Sequence, residues 1–99
     1  MEKLTGNDFI RDVMYNDDGT KACAYGWYQL IFNKNGELDG DSPLHKIFRD
    51  TFRQIAVEMN FEPRHYMAPV PTYVADERNS LDDIAVCFNK TVDIMELDP

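Results

Sequence analysis

Proton transfer, nucleophilic attack and metal binding each need particular side chains at particular spacings, and this 99-residue chain offers few candidates. There are two histidines, His45 and His65. A histidine base works only with a nucleophile or carboxylate held within hydrogen-bond reach. Asp50 follows His45 by five residues, a separation that does not bring two side chains together on one helix. No Gly-x-Ser-x-Gly, phosphate-loop or His-Glu-x-x-His pattern occurs. The two cysteines, Cys23 and Cys87, sit in apolar contexts without zinc-ligand spacing, so buried thiols are expected. Asn33, Asn35, Glu37, Asp39 and Asp41 alternate oxygen-bearing side chains. Counted from Asn35, the calcium-loop order is met at Glu37, Asp39 and Gly40, but Lys46 stands where the closing Glu belongs. No catalytic set, metal site or cofactor is therefore expected.

Charge is the stronger signal. The formal net charge is −8, and it is unevenly placed. Residues 1–41 hold eight acids and four bases, residues 76–99 seven acids and two bases, and the middle three acids and four bases. The carboxylates come in pairs: Asp17 with Asp18, Asp39 with Asp41, Asp76 with Glu77, and Asp82 with Asp83. Paired carboxylates on a small rigid body attract a basic groove by the electrostatics that nucleic acid uses. The same charge also serves solubility. Lys46, Arg49 and Arg53 follow i, i+3, i+7 spacing, which predicts an exposed cationic stripe on one helix. That stripe is either a solvated face or a secondary docking surface for an acidic partner or a phosphate.

These groups must be positioned by a single domain, 1–99. Thr5 with Asp8 three residues on reads as the start of a short helix, about 6–15, stopped by the turn residues Asn16-Asp17-Asp18-Gly19. Lys21 to Asn33 alternates with apolar residues on both faces, which predicts β-structure. Asn35-Gly36 predicts a tight turn. Ser42-Pro43 opens an amphipathic helix over about 43–60, with Leu44, Ile47, Phe48, Thr51, Ile55, Ala56 and Met59 as its apolar face. Pro63, Pro69 and Pro71 predict an extended crossing over 61–73, anchored by Tyr66, Met67 and Tyr73. Ser80-x-x-Asp83 caps a further helix through about Asn89, with helix and strand both open beyond it. The expected fold class is α+β: a small, mainly antiparallel sheet packed by the 43–60 helix, with shorter helices near both termini.

Leu81–Ala85 followed by Val86–Val92 resembles the first helix and turn of a helix-turn-helix, over about a dozen residues. It departs from that family at Asn89, where a turn glycine is common. Its second element, Thr91–Pro99, carries three acids and no base. A DNA reader needs the opposite sign, so direct nucleic-acid binding is not expected.

The expected function is that of a small acidic, non-enzymatic binding protein. It would be an inhibitor or decoy that engages a basic, nucleic-acid-handling partner through Asp17, Asp18, Asp39, Asp41, Asp76, Glu77, Asp82 and Asp83. Accessory proteins of phages and mobile elements are often this small and this acidic. Two alternatives stay open: a small enzyme or subunit using His45 or His65 with a carboxylate, and an assembly subunit with an aromatic contact surface of Tyr25, Trp27 and Tyr28. The longest apolar runs fall well short of the ~20 residues of a membrane span, and the chain opens without a signal-peptide pattern, so a cytoplasmic location is the default expectation.

Overall fold

The computed structural model describes residues 3–11, 13, 15–32, 43–62 and 70–97. Four α-helices account for most of them: α1 (Ala24–Phe32), α2 (Pro43–Glu58), α3 (Val70–Ala75) and α4 (Leu81–Leu97). No strand occurs among the described residues, only two isolated bridges, Phe9 with Ala22 and Tyr15 with Ala22. The expected α+β class is thus overturned, and the fold is mostly helical. No helix among the described residues is long and apolar enough to cross a membrane.

The expected sheet is where the largest correction falls. Residues 24–32 form α1, not a strand. A short segment that is apolar all round carries no decisive period. Its composition is divided, since Ala24, Gln29 and Leu30 favour helix while Tyr25, Trp27, Tyr28, Ile31 and Phe32 favour strand, so the packing partners decide. Ala24 and Tyr28 bury one side of α1 and Gly26 and Gln29 another, whereas Tyr25, Trp27, Ile31 and Phe32 are half-buried and Leu30 is exposed.

The expected helix 6–15 shrinks to a 3-10 turn, Gly6–Asp8. The Thr5 amide donates to the Asp8 carboxylate at 2.8 Å, so the cap is present. The chain then extends, with Ile10 N–H donating to Ala22 O at 3.2 Å, which removes the helix's own ladder. The turn at Asn16–Gly19 forms as expected: Gly19 N–H donates to Asn16 O at 3.1 Å, and Gly19 takes φ +72°.

Helix α2 ends in a Schellman motif. Asn60 adopts φ +61°, Phe61 N–H donates to Ala56 O at 2.9 Å, and Asn60 N–H donates to Val57 O at 3.1 Å. Its inner face is rotated from the expected one. His45 and Phe52 are buried, whereas Leu44 and Ile47 are exposed. The rotation follows its aromatic partners: Phe48 lies 4.6 Å from Tyr28, 5.9 Å from Phe52 and 5.9 Å from Phe88, ring centre to ring centre.

The expected extended crossing over 61–73 gives way at Val70, where α3 begins with Pro71 in its first turn, a position that tolerates proline. Tyr73 is buried, as its anchoring role requires. Ser80 caps α4, accepting from Asp83 N–H at 3.1 Å, and the helix runs without a break through 97. Phe9, Phe48, Phe52, Tyr73, Ile84 and Phe88 form the centre of the core, chiefly between α2 and α4.

Candidate functional site

The outward face of α4 gathers the largest set of exposed carboxylates on one element. Asp82 and Asp83 occupy its first turn, where negative charge complements the helix dipole. Asp93 and Glu96 continue the same side farther along, and all four are exposed. At about 100° per residue, Asp82, Val86 and Asp93 fall within about 40° of one another. From Asp82 to Glu96 the face runs about 21 Å at 1.5 Å per residue. Val86 (43 % exposed) and Ile94 (47 %) put apolar surface among the acids, and Lys90 is its one base.

Local chemistry and long-range clamps hold this face in place. The inner side of α4 buries Ile84, Cys87, Phe88, Thr91 and Val92, with Thr91 Oγ1 donating to Cys87 O at 2.8 Å. Asn89 grips the N-terminal segment: it accepts from Leu4 N–H at 3.0 Å and donates to Leu4 O at 2.8 Å. Asn79 does the same for the turn before α4. It accepts from Glu62 N–H at 2.8 Å and donates to Glu62 O (2.6 Å) and Tyr73 O (2.9 Å). The Arg11 guanidinium closes the same turn on Val74 O, Asp76 O and Asn79 O, at 2.8, 3.2 and 2.8 Å. These amides and this guanidinium fix how α4 enters the body.

The expected binding carboxylates divide by what they already touch. Asp76 is bound by Arg78, with Nε to Oδ1 at 3.0 Å and Nη2 to Oδ2 at 2.8 Å. That fork, with the Arg78 amide, holds the Asp76 carboxyl down at about 2. Arg78 also lies 3.7 Å from Glu62. Asp18 accepts from Thr20 Oγ1 at 2.7 Å and Thr20 N–H at 3.2 Å, bonds that lower its pKa. Asp17, Glu77, Asp82 and Asp83 are exposed. Asp39 and Asp41, with the rest of the possible cation loop, lie outside the described residues, as does His65. The structure thus sets Asp82 and Asp83 on the helix that carries Asp93 and Glu96. Asp93 and Glu96 lie in 91–97, where the sequence leaves helix and strand both open; the Ser80-capped helical period, extended through 97, reaches them.

The cationic stripe is also corrected. Lys46 is exposed, but Arg49 and Arg53 are half-buried because α2 turns toward α1. Arg49 lies 3.3 Å from Asp50. Both guanidiniums act on Tyr25, whose phenol is nonetheless pushed up by burial. On the outward side of α2, Asp50, Arg53, Gln54, Val57 and Glu58 line an open depression of about 450 Å³ with mixed charge.

Of the other expected groups, His45 is 5 % exposed and sits in the core. Tyr28 is buried, and Tyr25 and Trp27 pack against the core. Trp27 Nε1–H donates to Asp8 O at 2.8 Å. Cys87 is buried, 3.6 Å from Phe52 O, and desolvation raises its thiol pKa far above the ordinary value. Cys23 is half-buried, and neither cysteine is in a disulfide. Comparison of the chain with family models, curated proteins and solved structures gave no match.

Proposed function

We propose that this is a small acidic binding protein that captures a basic, nucleic-acid-handling partner through the outward face of α4 and the turn before it. The observation that carries the reading is the set Asp82, Asp93 and Glu96, within about 60° of one another on α4, with Asp83 to one side, all exposed in a chain with net charge −8. A negative body of this kind speeds encounter with a positive surface, and the gain falls with ionic strength.

Magnitudes narrow the mode of binding. B-DNA carries one charge per roughly 1.7 Å of axis. Four carboxylates over about 21 Å are far sparser. The face therefore supports attraction by sign and docking by shape, with Val86 and Ile94 in the contact, rather than a copy of the phosphate spacing.

The test is affinity capture from the source cell at low and high ionic strength, with the unmodified chain and an Asp82→Lys/Asp93→Lys variant. The expected result is a basic partner held at low salt, released at high salt and not captured by the variant. Addition of the unmodified chain should also displace that partner from nucleic acid. Equal capture by the variant, or binding indifferent to salt, refutes the reading.

A further inference from the structure

Between Asp82 and Glu96, the acidic flank of α4 is crossed by a piece of the chain itself. Asn89 stands seven residues from each of them, on the same line of the helix and about 10 Å from either. It is 9 % exposed and carries Leu4. Leu4 N–H donates to Asn89 Oδ1 at 3.0 Å, and Asn89 Nδ2 donates to Leu4 O at 2.8 Å. This pair of bonds reads backbone only, so it fits any extended residue. Selection comes from the neighbouring side chains. Leu4 is half-buried against the core, whereas Lys3 and Thr5 are exposed. Gly6 closes on Asp82, where a Cβ would lie 2.8 Å from the amide nitrogen. The segment therefore runs from the Glu96 side, where it carries a base, toward Asp82, where it carries a glycine.

We propose that segment 3–6 is a displaceable pseudo-ligand. The Asn89 clamp takes an extended peptide bearing a base, an apolar residue and, two positions on, a glycine, and a partner segment of that chemistry displaces the chain's own. The proposal rests on the reading that α4 docks a basic partner, and it names the segment α4 takes. Apart from the Asn89 pair, the described hydrogen bonds of 3–6 are local, Thr5 with Asp8 and Gly6 with Phe9. The next anchors lie beyond the segment: Phe9 is buried, and Asp8 O accepts from Trp27 Nε1. Segment 3–6 thus lifts while the core stays closed, a local opening that costs less than unfolding. Exposed Asp82 and Glu96, in a chain of net charge −8, favour a basic replacement. Its apolar residue refills the place Leu4 leaves, and its glycine avoids the Asp82 backbone.

The probe is the acetylated and amidated peptide Lys-Leu-Thr-Gly-Asn-Asp, titrated to about 5 mM at low ionic strength into the full chain. Binding is read by NMR at the Leu4 amide and the Asn89 side-chain amide. The tethered segment competes at high effective concentration. The peptide should therefore bind Leu4→Ala at least about fivefold more tightly than the unmodified chain. Peptides with Ala for Leu, Ala for Gly or Glu for Lys should each bind Leu4→Ala at least about fivefold more weakly. Asn89→Ala should bind none of them. Hydrogen exchange adds an arm that needs no variant: the Leu4 amide should be at least about tenfold less protected than the Phe88 amide of α4. The proposal is overturned by equal affinity for the two chains, by no saturation of Leu4→Ala, or by binding that persists in Asn89→Ala. Indifference to the peptide's Leu, Gly or Lys, or equal protection of Leu4 and Phe88, overturns it as well. None of these readouts uses the partner, so their failure leaves the salt-dependent capture test standing, and the reverse holds.

Discussion

Gly6→Ala tests the seat of α4. Gly6 is buried, and a Cβ built there would lie 2.8 Å from the Asp82 amide nitrogen and 3.0 Å from its Cγ, and would overlap Oδ1. The carboxylate is exposed and can swing away; the amide nitrogen cannot, because it belongs to the first turn of α4. That turn is tied by the Ser80–Asp83 cap at 3.1 Å, and the Gly6 carbonyl is tied to Phe9 N–H at 3.3 Å. Forcing a methyl into a closed contact costs about 1–3 kcal/mol. The substitution returns about 0.4–1 kcal/mol by restricting the unfolded chain. The centres of the two ranges leave a net loss of about 1.3 kcal/mol, which lowers Tm by about 5–10 °C in a chain of this size. Thermal denaturation followed by circular dichroism at 222 nm measures it. A Tm unchanged or raised would show that α4 is not seated on Gly6 and refute the packing argument. Gly19 supplies the contrast: it has φ +72° and nothing within 4 Å of a Cβ. Gly19→Ala therefore costs about 1–2 kcal/mol through the backbone alone, and Gly19→Asn recovers most of it.

Further outcomes follow from the same contacts. Asn79→Ala leaves the buried-side groups of Glu62 and Tyr73 without their amide and lowers stability by about 2–4 kcal/mol in urea denaturation. Asn79→Asp does not rescue it, since a carboxylate cannot donate to the two carbonyls. Phe48→Ala opens a cavity beneath Tyr28 and Phe88 and costs about 3–5 kcal/mol, read by the same assay. The Asp76 carboxyl should titrate at about 2 by NMR and return toward 3.8 in Arg78→Ala. Because its folded pKa is depressed, its contribution is present above 3.8 and is lost as pH falls through about 2. Asp93→Lys/Glu96→Lys should leave stability within about 0.5 kcal/mol, because both are exposed, while reducing partner capture.

The candidate site was half legible. Asp82 and Asp83 stand out in the sequence as one of four carboxylate pairs, and Ser80-x-x-Asp83 predicts the helix that carries them as far as Asn89. Asp76 and Asp18 looked equivalent to them as residue types, yet Arg78 and Thr20 already occupy their oxygens. A carboxylate's availability depends on its neighbours, and pairing in the sequence does not report it. His45 reads from the sequence as a structural or surface histidine, with a catalytic role as the alternative, because its place beside the apolar edge of α2 leaves its direction open; its packing against Tyr25 and Tyr28 puts it inside.

What the sequence determined by itself is the local hydrogen-bond chemistry. The Thr5–Asp8 cap, the Asn16–Gly19 turn, the stop at Asn60 and the Ser80 cap each close over three or four residues, so their partners are visible in the string. The charge imbalance is equally a property of composition. Only the tertiary structure decided that 24–32 is helical, that α2 rotates to bury His45 and Phe52, and how α4 is held. Those outcomes rest on contacts between distant residues, such as Arg11 with Asn79 and Asn89 with Leu4. An all-round apolar segment takes its backbone form, and an amphipathic helix its exact rotation, from the surfaces that meet it, and no local period records where those surfaces lie.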